Sequence, residues 1–147
     1  GSFLVPLCMA LFLWRLEVFR SKSLKDLEGP LGHQSECSSY VATERIRLHS
    51  VPLPKLTVEN LRLLIGQKVG LKHLVPVALD ILEDDPFVRG DFYPGDLLRN
   101  VALAPEDFWN SHPELNNRLV EVKIEVESFA KTINEELMPA LKQRDFI

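Results

Sequence analysis

Cysteine is scarce in this chain: Cys8 and Cys37 are the two in 147 residues. Small disulfide scaffolds carry four or more, in even number, so that class is excluded. Two free thiols, as in a cytoplasmic protein, is the plain reading, and a bridge between the two does not follow from their spacing. Basic excess is also missing. Seventeen Lys and Arg stand against 21 Asp and Glu, for a net charge of −4. Neutralising phosphates needs a basic surface, so the balance argues against a general nucleic-acid binder. No apolar run reaches the roughly 20 residues that a membrane-spanning helix needs. The run Phe3–Trp14 has twelve, and Arg15, Glu17 and Arg20 close it. No stretch alternates apolar and polar residues long enough to be a strand. No period of roughly 20–50 residues marks a repeat array.

What is present fits one soluble domain. Hydrophobic residues make up 46% and charged residues 26%, which excludes a chain disordered throughout. A chain of this size buries roughly 68–70% of its extended surface, enough for one core without staples. The first twenty residues stand apart. Gly1-Ser2 reads as a processing scar, and residues 1–20 form an apolar segment that need not be native to the domain. Three readings of it stay open: a buried or partner-packed helix, an upstream stretch not natively translated, or a membrane anchor or signal over residues 3–19. A single helical domain is expected over 21–147.

Within that domain the expected fold class is all-α, a compact bundle of about five to seven helices. Residues Arg20–Ser39 are polar and broken by Gly29, Pro30 and Gly32. They read as a loop with a short helical turn at Leu24–Glu28. A short helix follows at Tyr40–Leu48 with Ser39 as its N-cap. Pro52 and Pro54 force an extended linker over Ser50–Leu56. Thr57 then caps a helix on Val58, Leu61, Leu64 and Ile65, with Glu59 in the first turn, where an acid favours the helix dipole. Gly66 and Gly70 bracket its end.

The next helix, Leu71–Asp84, is apolar over most of its circumference and is expected to be central. Pro76 either starts its regular part or kinks it. A structured turn over Phe87–Asp96, a helix near Gly95–Leu103 and a short turn carrying Phe108 and Trp109 follow. Phe92 and Trp109 are expected in the core. From Pro113, Leu115, Leu119, Val122, Val126, Phe129, Ile133 and Leu137 trace one helical stripe. Glu114 with Arg118 and Glu127 with Lys131 sit at the favoured acid-before-base spacing.

No catalytic machinery is visible. His33, His49, His73 and His112 are not at metal-ligand spacing, and no HExxH, GxSxG or GxxxxGK[ST] occurs. Cys8 lies among apolar residues, where a thiol stays protonated and inert. The notable feature is acidic. Six carboxylates, Asp80, Glu83, Asp84, Asp85, Asp91 and Asp96, face a single Arg89 within seventeen residues. Three readings stay open: a solvated face with one helix-capping acid, a divalent-metal site, or a docking surface that steers a basic partner. Phe92, Tyr93, Phe108 and Trp109 lie near enough in sequence to supply aromatic anchors.

The segments LKDLEG (24–29), VPLPKLTVENLRLLIGQKVGLKHLVPVALDILEDDPF (51–87), GDFYPGDLL (90–98), DFW (107–109) and HPEL (112–115) resemble the immunity proteins of bacterial contact-dependent growth inhibition (CDI). The resemblance runs from about Ser21 to Leu119. The first twenty residues and the Gly32–Cys37 loop depart from it. It implies a cytoplasmic, non-catalytic antidote that needs no cofactor and binds the C-terminal toxin domain of a cognate effector. Many such toxins are nucleases with basic grooves, which the acidic balance suits. Immunity residues vary between cognate pairs, so the candidate toxin-binding residues rest on charge: Asp80, Glu83, Asp84, Asp85, Asp91, Tyr93 and Asp96. The competing expectation is a metal-dependent enzyme or factor built on Asp84, Asp85, Asp91 and Asp96.

Overall fold

The computed structural model describes residues 21–32 and 39–144. The expectations for Phe3–Trp14, Cys8, His33 and Cys37 lie outside these residues. Helices account for the regular structure among them: α1 Leu24–Glu28, α2 Tyr40–Leu48, α3 Val58–Gly66, α4 Leu71–Asp84, α5 Asp96–Ala102, α6 Glu106–Ser111 and α7 Pro113–Thr132. The last runs on through a π-helical turn at Ile133–Leu137 into α8, Met138–Lys142. Among the described residues the only extended pairings are single bridges, Ser23 with Pro52 and Arg89 with Pro94. The chain is all-α over the region described.

Local chemistry sets the helix starts. The Ser23 hydroxyl accepts the Asp26 N–H while the Asp26 carboxylate accepts the Ser23 N–H, a reciprocal cap on α1. Thr57 and Asn60 repeat the arrangement on α3. Ser39 caps α2 from its side chain alone. At the end of α3 the left-handed turn falls on Lys68 rather than on a glycine. Gly70 then starts α4 at φ 57°, and a Cβ there would lie 2.7 Å from a Leu24 methyl. That position therefore needs glycine for both conformation and space. Pro76 does not start α4 but sits inside it, five residues in.

The core gathers on α4 as expected. Leu74, Val75, Ala78, Leu79 and Leu82 are buried there against Leu61, Leu64 and Ile65 of α3 and Leu97 and Val101 of α5. Each buried leucine contributes about 1.5–3 kcal/mol by removal from water. Leu24, Leu48, Leu53, Trp109, Leu115 and Val122 belong to the same core. Trp109 is buried, with its indole N–H donating to the Ala104 carbonyl at 3.1 Å. His49 and His73 are packed side chains: the His49 Nε2–H donates to Gly29 O at 2.7 Å, and His73 Nε2 is 3.6 Å from Glu28. Burial holds the His73 imidazole below its ordinary pKa. His112 enters α7 with its ring stacked on Phe108.

The ion pairs expected within α7 do not form as spaced, and the stripe from Leu115 to Leu137 is buried along only part of its length. Leu115 and Val122 are buried, but Phe129, Ile133 and Leu137 are 42–50% exposed. At about 1.5 Å per residue, the run from Pro113 to Lys142 is roughly twice as long as α4, so its second half passes beyond the described helices that pack on its first. The within-helix pair Glu114–Arg118 is replaced by a tie between helices, because the Arg118 guanidinium reaches across to α4. Glu127 lies instead near Lys123, at 3.6 Å.

Candidate functional site

The segment between α4 and α5 is built by hydrogen bonds from its own ends. Asp85 accepts the Phe87 N–H at 2.9 Å, which turns the chain out of α4. The Gly95 N–H donates to Val88 O and closes the neck of the loop. Gly95, at φ 93°, then hands the chain to α5.

Asp96, the first residue of α5, is 3% exposed. Its carboxylate accepts the N–H of Gly90 at 2.7 Å, of Phe92 at 3.0 Å and of Tyr93 at 3.4 Å. Burial pushes this carboxyl upward. The backbone donors of Gly90, Phe92, Tyr93 and Leu97 outweigh it and hold the pKa below the ordinary carboxylate value. DFYPGD is thus a loop folded around its own final carboxylate.

A second carboxylate fixes that loop to α3. Glu59 accepts the Asp91 N–H at 2.8 Å and pairs in a bidentate fashion with Arg62, one turn along. The Arg62 pairing is the main cause of its lowered pKa. Arg62 Nε is also 4.0 Å from Asp96, and its guanidinium lies 4.2 Å from the centre of the Phe92 ring. Asn100 of α5 donates to Arg62 O at 2.8 Å, which joins α3 and α5 behind the clamp. A Cβ on Gly90 would lie 2.6 Å from a Glu59 oxygen and 2.9 Å from an Asp96 oxygen, so the loop approaches both acids this closely only with glycine there.

The clamp presents aromatic rings outward. Phe92 is 62% exposed, which corrects its expected place in the core, and Tyr93 is exposed beside it. The reason is local: Asp96 and Glu59 take the backbone of residues 90–93 inward, so the side chains at the tip point away. Tyr40, at the start of α2, is 69% exposed. Tyr40 and Phe92 line one groove of about 370 Å³, with Glu59, Arg62 and Asp91 among its other residues. A second cavity, of about 410 Å³, is lined by Arg62, Phe92, Tyr93, Asp96, Arg99 and Asn100.

The acidic candidates do not form one patch. Asp80 and Glu83 are both engaged by Arg118 of α7, with Nη2 2.7 Å from Asp80 and Nε on Glu83. The pairing with Arg118 lowers the Glu83 pKa. Asp84 and Asp85 are exposed at the end of α4, and Asp91 and Tyr93 are exposed on the loop. Asp96 is spent internally. Among the described residues no group of three or more His, Cys, Asp or Glu is placed to hold a metal ion. Glu59, Arg62, Tyr40 and Arg118 were not among the sequence candidates. Contacts across 32 to 38 positions tie Glu59 to Asp91 and Arg118 to Asp80 and Glu83, and no short motif announces them.

Among the described residues no helix is long and apolar enough to cross a membrane. A family model described as CDI immunity proteins matches residues 26–119. That span holds α2 to α6, the clamp and the first turns of α7. Neither the curated proteins nor the solved structures searched gave a match.

Proposed function

The chain belongs to the CDI immunity protein family, and on that premise we propose that it binds the toxin domain of a cognate CDI effector and neutralises it without chemistry of its own. It acts in the cytoplasm of the cell it protects. The family match over more than half of the chain carries this reading. The internal use of the carboxylates supports it: Asp96 and Glu59 hold backbone and guanidinium donors, and Asp80 and Glu83 hold Arg118.

For docking we assign Asp84, Asp85, Asp91 and Tyr93 as contacts. Asp80 and Glu83 contribute through their half-exposed pairing with Arg118, and Asp96 contributes by holding the loop. A toxin with a basic substrate groove suits this acidic end. Neutralising Glu83, Asp84 and Asp85 together is expected to slow association and flatten its salt dependence.

The test is growth protection with counted stoichiometry. Cells expressing the toxin domain encoded beside this chain's gene should stop growing, and co-expression of the chain should restore growth. A binder protects only up to equimolar toxin. Protection by far less than one equivalent would contradict the non-catalytic reading, and no protection at all would contradict the antidote reading.

A further inference from the structure

The groove between α2, α3 and the loop over residues 87–95 has a charge and wall pattern that selects its occupant. Tyr40 and Phe92 supply two exposed rings. Glu59 and Asp91 supply two carboxylates against one guanidinium, that of Arg62. That guanidinium is already neutralised by its bidentate pairing with Glu59, with Asp96 4.0 Å away. Among the described residues no hydrogen bond or close ion pair engages the Asp91 carboxylate, which acts on Arg62 only through space; its N–H donates to Glu59. Two carboxylates against one guanidinium leave the groove with a net negative charge beside aromatic faces, an arrangement that attracts a cation and repels an anion. Arg99 lies in the neighbouring cavity and is not among the residues lining this one.

We infer that this groove receives a lysine or arginine side chain of the toxin domain, seated between Tyr40 and Phe92 and paired with Asp91. The inference rests on the antidote reading above and gives it a contact. Three observations converge on it. Phe92 already carries one guanidinium, 4.2 Å from its ring centre, and most of the remaining ring surface is open. The backbone under Phe92 and Asp91 is fixed by Asp96 and Glu59, so association does not bear the cost of ordering the loop. Rigid, exposed aromatics beside a cavity are the residue types on which interface energy concentrates.

The experiment measures affinity of the full chain for the toxin domain encoded beside its gene, by calorimetry, with variants Tyr40→Ala, Phe92→Ala, Asp91→Asn and, as control, Ile124→Ala. Ile124 is exposed on α7 and lines neither cavity. Circular dichroism confirms that each variant is folded, and Tyr40 and Asp91 are surface side chains whose loss leaves the core intact. Tyr40→Ala and Phe92→Ala are expected to weaken binding about tenfold or more each. Asp91→Asn is expected to weaken it about threefold and to make its salt dependence shallower. Ile124→Ala should bind as the parent does. If the parent binds and the Tyr40 and Phe92 variants stay within about twofold of it, the groove is not the contact and the inference is overturned. If the aromatic variants weaken binding but Asp91→Asn changes neither affinity nor salt slope, the occupant is not a cation and the inference is again overturned. If the parent itself does not bind, the antidote reading fails, and this inference fails with it.

Discussion

The loop over residues 87–95 and the far half of α7 expose hydrophobic side chains in opposite ways. On the loop, Phe92 and Tyr93 stand on a backbone whose N–H groups are taken by Asp96 and Glu59, and Arg62 braces both acids. Beyond Val126, Phe129, Ile133 and Leu137 continue a regular stripe, but among the described residues the helices that cover its first half have ended. The exposed rings of the loop are held in place by buried polar chemistry. Among the described residues the exposed stripe of the helix is held chiefly by the helix itself, apart from an edge-to-face contact of Phe129 with Phe87. Exposure on a clamped backbone is fixed in one geometry, whereas exposure on a helix face that no described element covers adds little to folding.

The contrast can be broken by mutation. Asp96→Ala should have the largest effect, about 3 kcal/mol lost in urea unfolding, because several partly buried N–H donors lose their acceptor. Loss below about 1 kcal/mol would show that the loop does not depend on this carboxylate. Gly90→Ala should cost about 1–3 kcal/mol, since its Cβ meets both clamp acids. A neutral result there would mean that the loop shifts freely.

Acid supplies a graded version of the same test. Asp96 and Glu59 have folded pKa values below their ordinary ones. Their stabilisation is therefore fully present above the unfolded values of about 3.9 and 4.3 and is lost as pH falls through the folded values. Unfolding measured from about pH 6 down to pH 2 should show this loss, and Asp96→Asn should flatten it. An unchanged acid limb in that variant would remove Asp96 as a contributor. At the other extreme, Ile133→Ser and Leu137→Ser should alter stability by no more than about 0.5 kcal/mol, the range for surface changes. Loss of about 2 kcal/mol from either would show that the tail is covered after all, and the two regions would no longer differ in kind.

These two regions also mark what the sequence could convey. Caps and periodicity are local signals, and Ser39, Thr57, the apolar α4 and the α7 stripe were readable from them. A stripe states which face is apolar. It does not state whether a neighbour is long enough to cover that face, so the exposure of Phe129 and Ile133 was hidden. Pro76 was ambiguous because packing of α4 on both sides, not propensity, decides that the helix continues through it. At the loop, the acids were conspicuous but their duties were not. Asp96 turns inward because three N–H groups of its own loop converge on it. Arg118 reaches Asp80 and Glu83 only once α4 and α7 lie side by side. Glu59 read as an ordinary first-turn acid, and its hold on Asp91 depends on the whole of α4 lying between them in sequence.

The most direct measurement is a calorimetric titration of the full chain with the toxin domain of the effector encoded beside its gene. Tight, nanomolar binding at one to one is the predicted result. Absence of binding by protein whose circular dichroism shows the folded helical state would contradict it.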